Sequence, residues 1–302
     1  MTATNNTAIV TSSDEIAIPP YAAVGSFPGH HPLIQAGFTQ DQVKEFYAWR
    51  QEGRKSLLIV SGPTGNGLTT TLRMTSDIIL AYNSVVISEI RDKKSAELAI
   101  SAAADFKTMG AMHGENAMSI PGRLAGMGID RRDALSPHVM GLWVSQRVAT
   151  KLCPHCSISY EEAVKTGKRS ETEYKIIENI IPEEYLHRIR ILNSGSTLSQ
   201  NGCGNDGCRY GATGRDLIAE VIKPDGRFLS LLRDNETKGA TTYWLNQLGG
   251  MLIAEHAALK VAFGIIDPRD LLGVLENSRP LQKERILHLL KTKGEKWFGS
   301  DA

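Results

Sequence analysis

The sequence predicts an α/β fold, and three observations carry that reading. Short, largely apolar runs at Lys55–Ser61, Val85–Ile90 and Thr108–Met112 alternate with segments of helical period, the pattern of a parallel sheet covered by its crossover helices. A glycine-rich turn, Gly62–Thr69, joins the first run to a helix. Beyond about Arg147 the alternation stops, four cysteines appear in two close pairs, and the remainder reads mainly as helix.

Taken in order, residues 1–37 are rich in Thr, Ser, Asn, Ala, Gly and Pro without sustained periodicity, and are expected to form a disordered or extended leader. Thr39 supplies a cap for a helix through Glu52, in which Val43, Phe46, Tyr47 and Trp49 keep one face apolar. The strand Lys55–Ser61 stops at Gly62-Pro63. A helix over Thr69–Tyr82, the strand Val85–Ile90, an alanine-rich helix over Lys94–Ala104 and the strand Thr108–Met112 follow, giving a core over residues 38–150. The cysteines, a charged helical stretch from Ser159 to Arg188 and the glycine-rich Gly202–Gly214 make a module over residues 151–215. Residues 216–302 are expected as a helical C-terminal region, with Asp267-Pro268 an N-cap and first-turn pair. Its leucine stripes, at Leu229, Leu232, Leu252 and Leu290 among others, read as core.

Composition removes whole classes of function. With 34 basic against 33 acidic side chains the net charge is +1, so nothing in the overall charge points to nucleic acid or an anionic membrane surface. The chain is 41% hydrophobic before its 28 glycines are counted, which excludes disorder throughout. No apolar run approaches the roughly 18–20 residues that span a bilayer, and no basic-then-apolar secretory signal is visible. Few cysteines in a chain of this length suggest a reducing, cytoplasmic setting in which the thiols serve metal or chemistry.

Gly62-Pro63-Thr64-Gly65-Asn66-Gly67-Leu68-Thr69, continued by Thr70, lies between a strand and a helix, where backbone N–H groups and a helix N-terminus can cradle phosphate. It matches the phosphate-loop pattern G-x4-G-K-[ST] except that Leu68 replaces the lysine. The competing reading is an ordinary strand-to-helix turn. Losing the lysine removes an interaction on the order of 4 kcal/mol per charge pair at an effective dielectric near 20, so nucleotide binding through the backbone and poor hydrolysis are expected. Cys153-x2-Cys156 and Cys203-x4-Cys208 present four thiolates in two turns, as a closed structural zinc site requires; unlinked thiols and disulfides are the alternatives.

Val85–Asp92, followed by Ala96, Ala99 and Ile100, resembles the Walker B segment of the ATPases that drive type II secretion and type IV pilus assembly. Ala111–Asn116 resembles their histidine box, Arg123–Ile129 the helix after it, Gln146-Arg147 with Lys151–Cys156 their approach to a tetracysteine zinc site, and Gly214-Arg215 with Ala219–Ile222 a later motif. These segments are collinear from about Gly37 to Leu275, and the plasmid-type thin-pilus branch is the most similar. The resemblance implies a RecA-like P-loop NTPase core with a tetracysteine zinc module. It also implies ATP with Mg at the loop, Thr69 and Glu89 on the magnesium, Glu89 orienting a water and His113 sensing the γ-phosphate. It further implies a hexameric homo-oligomer working against an inner-membrane platform protein, cytoplasmic or peripheral at the inner membrane, with no nucleic acid. Read without it, Glu89 is equally a surface carboxylate at a strand end and His113 a polar residue capping a strand.

Besides Leu68, two departures from the family stand out. The resemblance implies a domain before the core, where the leader stands. Residues 70–84 alone separate Walker A from Walker B, too few for the family's extra strand, aspartate box and boundary arginines. The expected function is therefore a secretion or pilus motor ATPase with impaired catalysis, the alternative being a non-catalytic ring subunit, regulator or remnant. The short interval also leaves Val85–Ile90 at the edge of the sheet, open to pairing with a second copy or with the leader.

Overall fold

The computed structural model describes residues 31–79, 84–193, 202–205, 207–276 and 279–298. Their backbone divides into two compact units, one made of the residues up to Arg147 with Ala219–Met251, the other of Val148–Ile218 with the residues from Leu252 onward. Among the described residues no helix is long and apolar enough to cross a membrane.

The sheet has five strands in the order β2-β3-β1-β4-β7. β1 (Ser56–Ser61) is central and runs parallel to β3 (Lys107–Met112) on one side and β4 (Met140–Leu152) on the other, while β2 (Ser84–Ile87) runs parallel to β3. β7 (Ala212–Ile222) lies beyond β4. Every residue of β1 and β3 is buried, which is why neither alternates: a strand covered on both faces needs apolar or small residues throughout. β4 and β7 were not foreseen, because β4 turns polar after Val144 and β7 begins within glycine-rich sequence. Residues 216–222, expected as helix, are therefore strand.

The helices before β4 follow local chemistry. α2 (Gln40–Gln51) opens on a reciprocal capping box: the Gln42 amide N–H donates to Thr39 Oγ1 at 3.2 Å, and the Thr39 N–H to Gln42 Oε1 at 3.0 Å. α4 (Lys93–Asp105) opens on Asp92, whose carboxylate accepts the Ser95 N–H at 2.8 Å and is held below the usual carboxylate range by the Ser95 hydrogen bonds. Asp92, the last residue of the Walker B-like segment, is thus a helix cap. α3 (Leu68–Ile79) begins one residue earlier than expected, and Tyr82 lies outside the described residues.

Two differences at the rims have physical causes. The expected leader is helical over α1 (Pro32–Ala36): proline suits the first turn, the His31 ring accepts the Leu33 N–H, and Gly37 closes the helix at φ 116°. Residues 1–30 of that leader lie outside the described residues. β2 is the edge of the described sheet, as the short interval requires, but it ends at Ile87. The chain then keeps one ladder bond, from the Ile90 N–H to the Ala111 carbonyl at 2.7 Å, and lays the Ile90 side chain over β3. A Cβ on Gly110 would sit 2.5 Å from Ile90 Cδ1, so a larger residue there would displace the Ile90 side chain.

Lys107, at the start of β3, is buried, with its ammonium donating to the Trp49 carbonyl and lying 4.7 Å above the Trp49 ring. Burial pulls its pKa from 10.5 down to about 8, against the partial support of Glu52. With the folded value the lower one, the unfolded chain holds more protons between these limits, so stability rises with pH there, and below pH 8 the full cost of the buried charge is present. Urea unfolding should gain on the order of 2–3 kcal/mol from this residue as pH climbs through that window. A Lys107→Met protein should lack the gain.

The first unit is completed by α5 (Ile120–Gly126), α6 (Arg131–Ala134), α10 (Gly226–Arg233) and α11 (Thr237–Gln247). Trp143 of β4 meets Phe228 edge-on at 5.7 Å. The second unit carries a small antiparallel pair, β5 (Ile158–Ser159) with β6 (Arg190–Ile191), and helices α7 (Tyr160–Lys165), α8 (Glu171–Ile180) and α9 (Glu183–Leu186). α12 (Ile253–Ala262) is buried along its whole length. α13 (Pro268–Leu275) starts at Asp267, whose carboxylate also accepts from the buried Arg169 at 2.6 Å and from the Leu192 N–H at 2.8 Å.

Candidate functional site

The turn after β1 has the conformation its glycines imply. Gly65 and Gly67 lie at φ 82° and 74°, in the left-handed region. Gly62 needs no such freedom, but a Cβ there would fall 2.4 Å from the Gln146 carbonyl oxygen. The Asn66 amide closes the turn from inside, donating to the Pro63 and Thr64 carbonyls at 3.1 and 3.3 Å. Thr69 and Thr70, at the start of α3, are exposed. Leu68 is not: it is 9% exposed, and its Cδ2 lies 3.1 Å from where a Cβ on Gly62 would stand. The side chain in the lysine position is thus packed against the root of the turn and offers an anion neither charge nor hydrogen bond.

The carboxyl ends of β1, β2 and β3 bring three of the candidate residues together. His113 Nδ1 lies 3.4 Å from the Gly62 carbonyl oxygen, and its Nε2 3.3 Å from Glu89 Oε1. Arg91 Nη1 stands 3.8 Å from the other Glu89 oxygen. Glu89 and His113 are each about two-fifths exposed, at 41% and 44% of their side chains, so the pair faces solvent at the strand ends, the edge of an open α/β sheet where ligands bind.

Gln146 was visible only within a motif assigned to the approach to the cysteine site, and sequence reasoning missed its place at the loop. It lies on β4, fully buried, and joins the turn to α3 by donating to the Asn66 carbonyl at 2.7 Å and accepting from Thr71 Oγ1 at 2.8 Å. A glutamine in a strand carries no signal of a partner 80 residues away. Glu220 was visible only within a motif. It is buried and accepts the Ala117 N–H, at the turn that follows the histidine box.

The four cysteines converge. Cys153 and Cys203 place their sulfurs 3.7 Å apart, Cys156 and Cys208 theirs 3.6 Å apart, and all four lie within 4.8 Å of one another. Disulfide sulfurs would be about 2.05 Å apart, so all four are free thiols. A tetrahedral centre with zinc–sulfur bonds of about 2.3 Å has sulfur–sulfur edges of about 3.8 Å, and the spacing fits that group. The second turn bends through Gly202, Gly204 and Gly207, all near φ 78°, and a Cβ on Gly202 would lie 2.2 Å from the Cys208 carbonyl oxygen. Asn205 donates to Cys203 Sγ at 3.1 Å and pulls that thiol down to about 6, whereas burial pushes Cys156 up. His155 is exposed and is not one of the four.

Known proteins share this architecture. The solved pilus retraction motor PilT with bound ADP superposes with a TM-score of 0.51 at 16% identity, covering 86% of this chain and 70% of that one. The Legionella pneumophila ATPase DotB gives 0.50 at 13%, covering 82% and 65%. At such identities the likeness concerns the fold alone. Among curated proteins, the type IV pilus assembly ATPase PilB of Pseudomonas aeruginosa is 26% identical over 231 residues, covering 62% of this chain and 37% of its own length. The type II secretion system protein E of the same organism is 27% identical over 210 residues, covering 69% and 36%. The protein transport protein HofB homolog of Escherichia coli is 27% identical over 209 residues, covering 69% and 39%. The chain therefore spans less than two-fifths of the length of these relatives. A family model described as Type II/IV secretion system protein matches residues 83–273, a span that holds the Glu89–His113 pair and all four cysteines, and to that family the chain belongs.

Proposed function

We propose that the chain is a nucleotide-binding member of this family whose ATP turnover is at or near background. The observation that carries this is Leu68, an apolar side chain buried at the root of the loop where phosphate chemistry calls for a cation. Residues Gly62–Thr70 would hold the phosphates through backbone N–H groups, and Thr69 with Glu89 would hold Mg. His113, bonded to both Glu89 and Gly62, would report the state of the γ-phosphate side to the loop. Bound ATP with Mg supplies the phosphoryl group and the charge that organises it; the chain supplies the cradle, the exposed hydroxyl of Thr69 and the Glu89 carboxylate. That the solved retraction motor holds ADP supports the choice of ligand.

The cysteine quartet would hold a structural zinc, since four thiolates leave no open coordination position for catalysis. The domain division, with core, zinc module and helical region, belongs to the same reading. So do assembly into a hexameric ring, an inner-membrane platform protein as partner, and a cytoplasmic location at that membrane.

Titration of the purified protein with ATP and ADP, with and without Mg, tests the reading alongside steady-state turnover. Weak, measurable binding with background turnover is expected. Turnover typical of a motor, abolished by Glu89→Gln, would overturn the impairment and restore a full motor ATPase. The second reading, a non-catalytic ring subunit or regulator, is favoured by the interval 70–84, whose single acid, Asp77, lies exposed on α3. Absence of nucleotide binding, even after Leu68→Lys, would select it.

A further inference from the structure

We infer that Gln146 is the positioning residue of the phosphate loop, an amide clamp that fixes the cradle in shape without help from a ligand. The inference rests on the reading that this loop receives nucleotide phosphate.

Gln146 reaches the turn at three places. Its main-chain oxygen abuts Gly62, where any Cβ would lie 2.4 Å away. Its Nε2 donates to the Asn66 carbonyl at 2.7 Å, and its Oε1 accepts from Thr71 Oγ1 at 2.8 Å in the first turn of α3. The crown and the following helix are therefore tied to one side chain of the neighbouring strand, and the root packs against the same residue's carbonyl. That side chain is fully buried, so loss of either bond leaves an uncompensated polar group.

The bond to Asn66 also sets a direction. Across a trans peptide the carbonyl and the next N–H point opposite ways. Drawing the Asn66 oxygen toward β4 turns the Gly67 N–H away from that strand, in a turn whose Thr64 and Gly65 are exposed. In an ordinary phosphate loop a lysine and its phosphate would help to hold the crown. With Leu68 in that position, the Gln146 clamp and the internal Asn66 bonds hold the crown, while the Gly62 carbonyl and N–H meet His113 and Met112 at the root.

Hydrogen exchange read by mass spectrometry on the full chain tests the clamp without nucleotide. In Gln146→Leu, protection of the Asn66 and Thr71 amides, which donate to the Pro63 and Gly67 carbonyls, should fall roughly ten- to a hundredfold, while β1 and β3 keep theirs. In Thr71→Val, which breaks only the helix bond, the loss should be smaller and centred on α3. Gln146→Glu should be unprotected at pH 8, where two acceptors face each other. It should regain protection near pH 5, because burial favours the neutral carboxyl, whose hydroxyl can donate to the Asn66 carbonyl. A merely space-filling glutamine would not give that pH reversal. Unchanged loop exchange in Gln146→Leu, or in Gln146→Glu at both pH values should the leucine variant not fold, overturns the clamp.

Titration with ADP in the Leu68→Lys background separates this inference from its premise. Gln146→Leu should weaken ADP in proportion to the lost protection. If no variant binds ADP while loop exchange still follows residue 146, the nucleotide reading fails and the clamp stands.

Discussion

Removing the zinc proposed for the cysteine quartet, by chelation or by Cys153→Ser, should lower the melting temperature by roughly 10 °C or more and unfold the second unit first. Structural zinc contributes about 10–16 kcal/mol of binding free energy in small peptides. Even a fraction of that, several kcal/mol, outweighs what the turns around the cysteines can replace by burial. The segment between the two cysteine pairs has its own apolar residues, Tyr160, Ile177, Ile181 and Ile189 among them, all buried. The second turn has almost none: Gly204 and Gly207 flank it in left-handed conformation, and Tyr210 is 66% exposed. On the zinc reading proposed above, that turn would depend on the metal. Protons compete for the thiolates, so the stabilisation should fade as pH falls, and zinc release followed with a colorimetric chelator should track the melting curve. His155→Ala should change neither. Protein purified without added metal that contains no zinc, and whose melting chelator leaves untouched, would sink the assignment.

What was legible in the sequence follows from how local each signal is. Thr39, and Gly65 with Gly67, act within a few residues of themselves, so the helix cap and the turn were readable. The edge position of β2 was readable for a different reason: the resemblance implies a further strand beyond it, and residues 70–84 leave no sequence for that strand. Pro32–Ala36 was hidden because a single capped turn is too short to set up periodicity among prolines and alanines. β4 and β7 were hidden because their burial comes from neighbours rather than from their own pattern. At the site, Glu89 and His113 were picked out by resemblance, but their bond to each other and to Gly62 is a product of parallel strand register. Gln146 and Asn205 carry no sequence signal of their contacts, since an amide becomes informative only when its partner is known.

Restoring the lysine is the sharpest test of the nucleotide site. Leu68→Lys should tighten ATP and ADP by roughly 10²–10³, the equivalent of a charge pair worth on the order of 4 kcal/mol at an effective dielectric near 20. The change is not free of cost in the empty protein. Leu68 is buried against Gly62, and a lysine there must swing its ammonium out over the loop, leaving its own stem to cover the gap. The melting temperature without nucleotide should therefore fall by a few degrees, and saturating ADP should more than recover it. Turnover is a separate matter. The lysine supplies positive charge, but the acids and boundary arginines of the aspartate box have no place in residues 70–84, so hydrolysis should remain near background. Calorimetric titration and a phosphate-release assay on the same preparation separate the two. Tighter binding without turnover is the expected result. Tighter binding with motor-level turnover would mean that Glu89 and His113, already bonded at 3.3 Å, suffice for the chemistry, and that the leucine alone silences it.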